Sequence, residues 1–243
     1  MMEELKQRAA VEAAERVRSG MVLGLGSGST VRYFVEELGR RLAEGRIRDV
    51  VAVPTSSETE HLAHASGVPL ATLNGYPTLD LAVDGADEVD LHLDLIKGRG
   101  GALLREKIVA LAARRLVIIV DASKLVGRLG ERVPIPVEVV PFGWGLVAAR
   151  LGALGGRPLL RKGAEGRPFV TDEGHYILDC AFGSLDNLYR LAEDIRRIVG
   201  VVEHGLFLGI AQEVIVAASD GVTVLVRESP SRSPLPGGGK DRR

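Results

Sequence analysis

The strongest constraint on this chain is a rhythm in its first half. Short unbroken apolar runs alternate with segments of helical period. The runs are MVLGL (21–25), DVVAVP (49–54), LDLAV (79–83) and LVIIV (116–120), with VPLATL (68–73) a further strand candidate. Around them, Leu5, Ala9, Ala13 and Val17 share one face of a helix over 3–18, and Val31, Phe34, Val35, Leu38 and Leu42 share one face of the next. Ser57-x-x-Glu60 is a capping box that opens a helix ending near Gly67, and 102–114 reads as another helix. Strands that are apolar on both faces lie in the middle of a domain. Alternating with helices, they form a parallel sheet covered on both sides. The expected fold is therefore α/β, a Rossmann-like, mostly parallel sheet.

In such sheets ligands bind beyond the carboxyl ends of the strands. Four polar clusters follow four of the apolar runs: GSGST (26–30), PTSSE (54–58), DGADE (84–88) and DASK (121–124). Their shared placement marks one edge of the sheet as the active-site edge.

After residue 130 the pattern changes. VPIPVEVVP (133–141) is strand-like and GWGLVAARLGAL (143–154) is helical. RPLLRKG and PFVTDEGHYILDC read as two strands, the second with a fold at Asp172–Gly174. Residues 185–200 form a helix, and VVEHGLFLG (201–209) is extended. This β-α-β-β-α-β order predicts a smaller α+β, ferredoxin-like domain over 131–207. VIVAAS and VTVLV return to the first sheet, so the Rossmann-like domain comprises 1–130 and 208–228. The tail 229–243, rich in Ser, Pro, Gly and charge, is expected to be disordered.

A length of 243 residues suits one large domain or two small ones, and the net charge of −1 gives no bulk signal for nucleic acid or membrane. No apolar run approaches membrane-spanning length, and the N-terminal helix lacks a signal-peptide core, which predicts a cytoplasmic protein. The single cysteine, Cys180, excludes a disulfide framework and reads as a small buried hydrophobe. Only six of the 31 basic residues are lysines, so each lysine raises the question of whether a compact ammonium is needed there.

Each motif has a functional and a plain reading. GLGSGST (24–30) places glycines, the hydroxyls of Ser27, Ser29 and Thr30, and a helix N-terminus together, which suits a phosphate; the alternative is a tight turn with an N-cap. It is neither a dinucleotide fingerprint nor a Walker A loop. In VDGADEVD the acids are candidates for a divalent cation, for proton chemistry, or for a solvated loop. Lys97 of the following KGRGG would offset Asp84 and Asp87 and keep them ionised. Glu88 and Asp90 read as surface acids. Glu106 sits at the start of a helix, where a favourable dipole or an i,i+4 pair would also explain it. His61 and His64 lack a third ligand for zinc.

Taken together, GLGSGSTV, VDGADEVD, KGRGGALLREKIV, DASK, PIPVEVVP, GGRP and VVEHGLF, in this order over most of 20–210, resemble the A-type ribose-5-phosphate isomerases. The resemblance implies metal-free and cofactor-free interconversion of D-ribose 5-phosphate and D-ribulose 5-phosphate through a cis-enediol(ate), in the non-oxidative pentose phosphate pathway. It implies Glu106 as general base, with Asp84, Asp87 and Lys97 handling hydroxyl protons, ring opening and the oxyanion. Ser27, Gly28, Ser29, Thr30 and Lys124 would hold the phosphate, with Lys6 a weaker candidate. Gly85, Ala86, Gly98, Arg99 and Gly100 would line the sugar site. A homo-oligomer, a dimer or larger, follows from the same likeness. Ser27 stands where many relatives carry Thr, and Arg99 where some carry Gly. Three other readings are a non-catalytic sugar-phosphate sensor on a related fold, a phosphogluconolactonase-like enzyme, and a metal-dependent phosphatase. No helix-turn-helix is visible to support the first.

Overall fold

The computed structural model describes residues 2–183 and 187–227. The predicted disordered tail and the start of the helix predicted over 185–200 lie outside those residues. The chain runs α1 (Met2–Ala14), β1 (Val22–Leu25), α2 (Ser29–Ala43), β2 (Val51–Pro54), α3 (Ser57–Ala65), β3 (Leu81–Asp84), β4 (Glu88–Val89), β5 (Leu95–Ile96), α4 (Leu103–Ala112) and β6 (Leu116–Asp121). It continues through β7 (Ile135–Val139), α5 (Trp144–Ala153), β8 (Gly156–Leu160), β9 (Tyr176–Phe182), α6 (Leu188–Arg196), β10 (Val201–His204), β11 (Leu206–Phe207), β12 (Glu213–Ala218) and β13 (Gly221–Val226).

Six strands form the main sheet in the order β13-β12-β6-β3-β1-β2, parallel except for the β12–β13 edge hairpin. The unbroken apolar strands are explained by two cores. From β6, Val117 and Ile119 join Phe34, Leu38 and the alanines of α1 on one face. Leu116, Ile118 and Val120 join Val109 of α4 and Phe207 on the other. Period-two alternation thus distributes one strand between two apolar layers.

The second sheet has the order β10-β7-β9-β8, antiparallel throughout, and packs with α5 and α6 around a third core. This is the predicted β-α-β-β-α-β, ferredoxin-like arrangement. Ile96, Val126 and Leu129 also enter that core, so it draws on residues before 131. A small third sheet has the order β11-β5-β4.

Four expectations change. Helix α3 is capped by Ser56, whose hydroxyl accepts the Thr59 amide at 3.1 Å, one residue before the predicted capping box. The first helix ends at Ala14 and continues only as turns to Val17. VPLATL is not a strand: around Leu70 it makes one bridge to Ala52, since Pro69 has no N–H to extend the ladder. Glu88 and Asp90 are buried, not surface acids. Glu88 accepts backbone N–H from Gly130 at 2.6 Å, Arg132 at 2.6 Å and Val133 at 2.9 Å. Three such donors satisfy a carboxylate without a cation. Asp90 caps its own turn, accepting from the His92 and Asp94 amides at 2.9 Å each.

Candidate active site

The sheet changes direction between β1 and β3: the chain leaves β1 for β2 on one side and returns to β3 on the other. At such a switch point the loops beyond the two strands diverge and leave a crevice. Here the crevice lies between 26–30, after β1, and 84–87, after β3.

The two loops are joined directly. Gly26 N–H donates to the Val83 carbonyl at 2.9 Å, and Ser27 N–H donates to Asp84 Oδ1 at 3.1 Å. A Cβ on Gly26 would lie 2.1 Å from Asp84 Cγ, so only glycine permits this approach. Gly28, at φ 102°, turns the chain into α2, whose first amides then face the crevice. Ser27 Oγ turns away into a hydroxyl cluster, with Thr55 Oγ1 at 2.8 Å and Ser56 Oγ at 2.9 Å. Thr59 Oγ1 donates to the Gly26 carbonyl at 2.8 Å. Of the phosphate candidates, therefore, Ser27 lines the cavity with its amide engaged by Asp84 and its hydroxyl in this cluster, and Ser29 and Thr30 line it beside Ser27.

Below the crevice lies a buried ionic triad. Lys97 Nζ is 3.0 Å from Asp84 Oδ1 and 3.2 Å from Glu106 Oε1, and it donates to the Gly85 carbonyl at 2.6 Å. All three residues are at most 5% exposed. One ammonium faces two carboxylates, so the fully ionised triad carries an unbalanced negative charge out of water. Burial is the main cause that pushes Glu106 up to about 8, reinforced by Asp84 and opposed by Lys97. Burial raises Asp84 as well, and the two carboxylates hold Lys97 firmly protonated. Glu106 Oε2 is buried without a hydrogen-bond partner, beside a cavity of about 120 Å³ that Glu106 lines.

Asp87 is half-buried, and its Oδ2 accepts the Arg99 amide at 3.0 Å, which ties the acidic loop to KGRG. The Arg99 side chain is exposed. Lys124 ends a short turn capped by Asp121, lines the cavity, and makes no ion pair among the described residues. The cavity thus brings together Ser27, Gly28, Ser29, Thr30, Gly85, Ala86, Asp87, Lys97, Gly98, Arg99, Gly100, Glu106 and Lys124. Asp84 lies behind Lys97. Lys6 does not join them; it pairs with Glu3 on α1 at 2.7 Å.

Two supports escaped the sequence reading. Arg161, on the second sheet's side, donates to the carbonyls of Gly98 at 3.0 Å and Arg99 at 2.9 Å. Asp172 accepts the Ser57 amide at 2.8 Å, at the start of α3. Nothing in the spacing of either residue announces the contact. His61 and His64 are exposed on α3, and among the described residues no group of three or more His, Cys, Asp or Glu is placed to hold a metal. Cys180 is buried, and burial pushes its thiol up to about 12. No helix among the described residues is long and apolar enough to cross a membrane.

Comparison with known proteins agrees with this geometry. The family model for ribose 5-phosphate isomerase A (phosphoriboisomerase A) matches residues 51–221. The ribose-5-phosphate isomerase A of Synechococcus sp. (strain JA-3-3Ab) is 54% identical over 92% of this chain and 97% of its own. The ribose 5-phosphate isomerase of Plasmodium falciparum superposes with a TM-score of 0.91 at 39% identity, covering 94% of this chain and 100% of its own. A D-ribose-5-phosphate isomerase solved in complex with phospho-erythronic acid does so with a TM-score of 0.91 at 42% identity, covering 93% and 100%. With the cavity, the buried triad and these likenesses in agreement, the chain belongs to the ribose 5-phosphate isomerase A family.

Proposed function

We propose that this isomerase interconverts D-ribose 5-phosphate and D-ribulose 5-phosphate through a cis-enediol(ate), without a metal, as a step of the non-oxidative pentose phosphate pathway. The observation that carries the reading is the triad: a buried ammonium between two carboxylates, one of which lines the cavity and has a buried oxygen without a hydrogen-bond partner. Moving a proton between C2 and C1 needs one carboxylate over that bond and a donor for the charge that develops on O1 and O2. Glu106 is the base. Its carboxylate takes the C2 proton of the open-chain aldose and returns it to C1 of the enediolate.

Lys97 is the donor. All its hydrogen bonds are taken, by Asp84, Glu106 and Gly85. A substrate oxygen that displaces Glu106 from Lys97 acquires the ammonium and releases the base in one step. Asp84 holds Lys97 in place, and Asp87 faces the sugar to exchange hydroxyl protons during ring opening. The phosphate sits at the first amides of α2 with Ser29, Thr30 and Lys124. Its binding holds a short, flexible sugar in register with Glu106. The phospho-erythronic acid held by the related isomerase, a four-carbon phosphorylated acid, suits a cavity with an anion site at one end and an ammonium at the other. We also assign this chemistry to the unit formed by 1–130 and 208–228, with 131–207 as a supporting unit, and expect a homodimer or larger assembly in the cytoplasm.

The test is isomerisation of ribose 5-phosphate by the purified protein with and without EDTA. Turnover unchanged by EDTA is expected. Turnover abolished by EDTA and restored by a divalent cation would overturn the proton-transfer reading. Lys124→Ala is expected to raise KM about tenfold with kcat little changed, the loss of one charged contact to a non-reacting phosphate. A change confined to kcat would remove Lys124 from the phosphate site.

A further inference from the structure

Among the lysines and motifs still without a role are Lys107 and VVEHGLF (201–207). In the fold they meet. Lys107 is 5% exposed, its Nζ donating to Glu203 Oε1 at 2.9 Å and to the His204 carbonyl at 2.5 Å. It also lies 4.8 Å from the centroid of the Phe207 ring. The same ring lies 5.6 Å from the ammonium of Lys97. Between these contacts, Gly205 approaches Lys97 so closely that a Cβ would sit 2.2 Å from the Lys97 carbonyl oxygen, and the Lys97 amide donates to the Gly205 carbonyl at 2.9 Å. One five-residue span, 203–207, therefore grips the main chain of Lys97, packs against its ammonium, and receives the side chain next to Glu106.

Helix α4 needs such a hold. Its N-cap is Ala102, which supplies no side-chain hydrogen bond. Lys107 is its fifth residue and Glu106 its fourth, so successive side chains point about 100° apart around the axis. Glu106 faces the cavity, and Lys107 is not among the residues lining it. Lys107 acts on the site through the helix it anchors and the 203–207 span that holds it. An apolar side chain of similar length would fill the space without taking a cation out of water. Burial pushes Lys107 down to about 8, against the pull of Glu203. A buried cation with a directed carboxylate, a directed carbonyl and an aromatic face fixes an orientation that an apolar contact would leave loose.

We propose that Lys107 is a positioning residue: clamped by Glu203, the His204 carbonyl and Phe207, it fixes the first turns of α4 against 203–207 and so sets Glu106 relative to Lys97. This rests on Glu106 being the base. A displacement of about 1 Å at a reacting group lowers rates by about a hundredfold. A merely structural lysine would change stability but leave kcat per folded molecule intact.

The experiment compares Lys107→Met, Glu203→Gln, the double variant and Glu106→Gln in the full chain. It measures kcat and KM for ribose 5-phosphate, with folding checked by circular dichroism. Lys107→Met is expected to lower kcat by about fivefold or more with KM within about threefold, because the phosphate contacts are untouched. Glu203→Gln is expected to act in the same direction, because it takes the charge out of the Lys107 contact, and the double variant to be no worse than Lys107→Met, since that substitution already removes the contact whole. A smaller fall in kcat, a change confined to KM, or additive losses would overturn the proposal. If Lys107→Met does not fold, Glu203→Gln decides by the same fivefold threshold. If Glu106→Gln is active, the base assignment fails and this inference with it. An inactive Glu106→Gln beside a normal Lys107→Met overturns the positioning role alone.

Discussion

Glu106→Gln is expected to lower kcat by about 10²–10⁴-fold, the range in which a positioned acid–base group acts, with KM little changed. Glutamine keeps the shape and the hydrogen bond from Lys97, but its amide cannot accept a carbon-bound proton. Stability is expected to hold, because removing one carboxylate leaves Lys97 and Asp84 as a balanced buried pair. The wild-type pH profile carries the same assignment. Glu106 must be ionised to act on free substrate, and burial pushes it up to about 8. Protons bind it as pH falls, so kcat/KM is expected to decline on the acid side from well above the usual carboxylate range. The limb belongs to the coupled Asp84–Glu106 pair rather than to one group. A profile flat down to pH 5, or a Glu106→Gln enzyme with near-normal kcat, would remove Glu106 from the proton transfer.

The sheet and most of its edge were legible in the sequence because both rest on local patterns. An all-apolar β6 of LVIIV is readable as a strand buried on both faces, and the two cores divide its residues as that reading requires. GSGST and DGADE were readable as neighbours because strand–loop–helix order fixes which edge they reach. Glu88 was not readable: it sits in the same acidic run as Asp84, and what separates them is the source of their partners. Glu88 is met by amides more than forty residues further on, whereas Asp84 is met by Lys97 and the amides of Ser27 and Gly85. The grip of Arg161 on the Gly98 and Arg99 carbonyls likewise depends on how the second sheet docks, which no local spacing encodes. Lys6 was misread for the opposite reason. A lysine on the first helix is compatible with the active-site edge, but an exposed Glu3 one turn away competes for it locally.

Lys97→Met is expected to abolish measurable isomerisation and to destabilise the protein by about 3–5 kcal/mol at neutral pH, the usual effect of removing one partner from a buried ion pair. Two consequences separate it from Glu106→Gln. Asp84 and Glu106 would face each other without a counter-ion, so both would take up protons at higher pH than in the wild type. For a carboxyl whose folded pKa is raised above its unfolded value, the protonated folded form is favoured below the unfolded pKa, and that stability is lost as pH rises. The deficit of Lys97→Met is therefore expected to grow between pH 5 and pH 8, while Glu106→Gln, having one carboxyl fewer, shows no such growth. Urea unfolding midpoints at the two pH values measure it. The damage is also expected to reach the phosphate loop. Asp84 Oδ1 is shared between Lys97 and the amides of Ser27 and Gly85, so a protonated or displaced Asp84 loosens the turn that leads into α2. Binding of inorganic phosphate should then weaken in Lys97→Met and persist in Glu106→Gln. Equal phosphate affinity in the two variants would mean that the triad and the phosphate loop are independent, and that Asp84 serves the reaction without holding the substrate's far end.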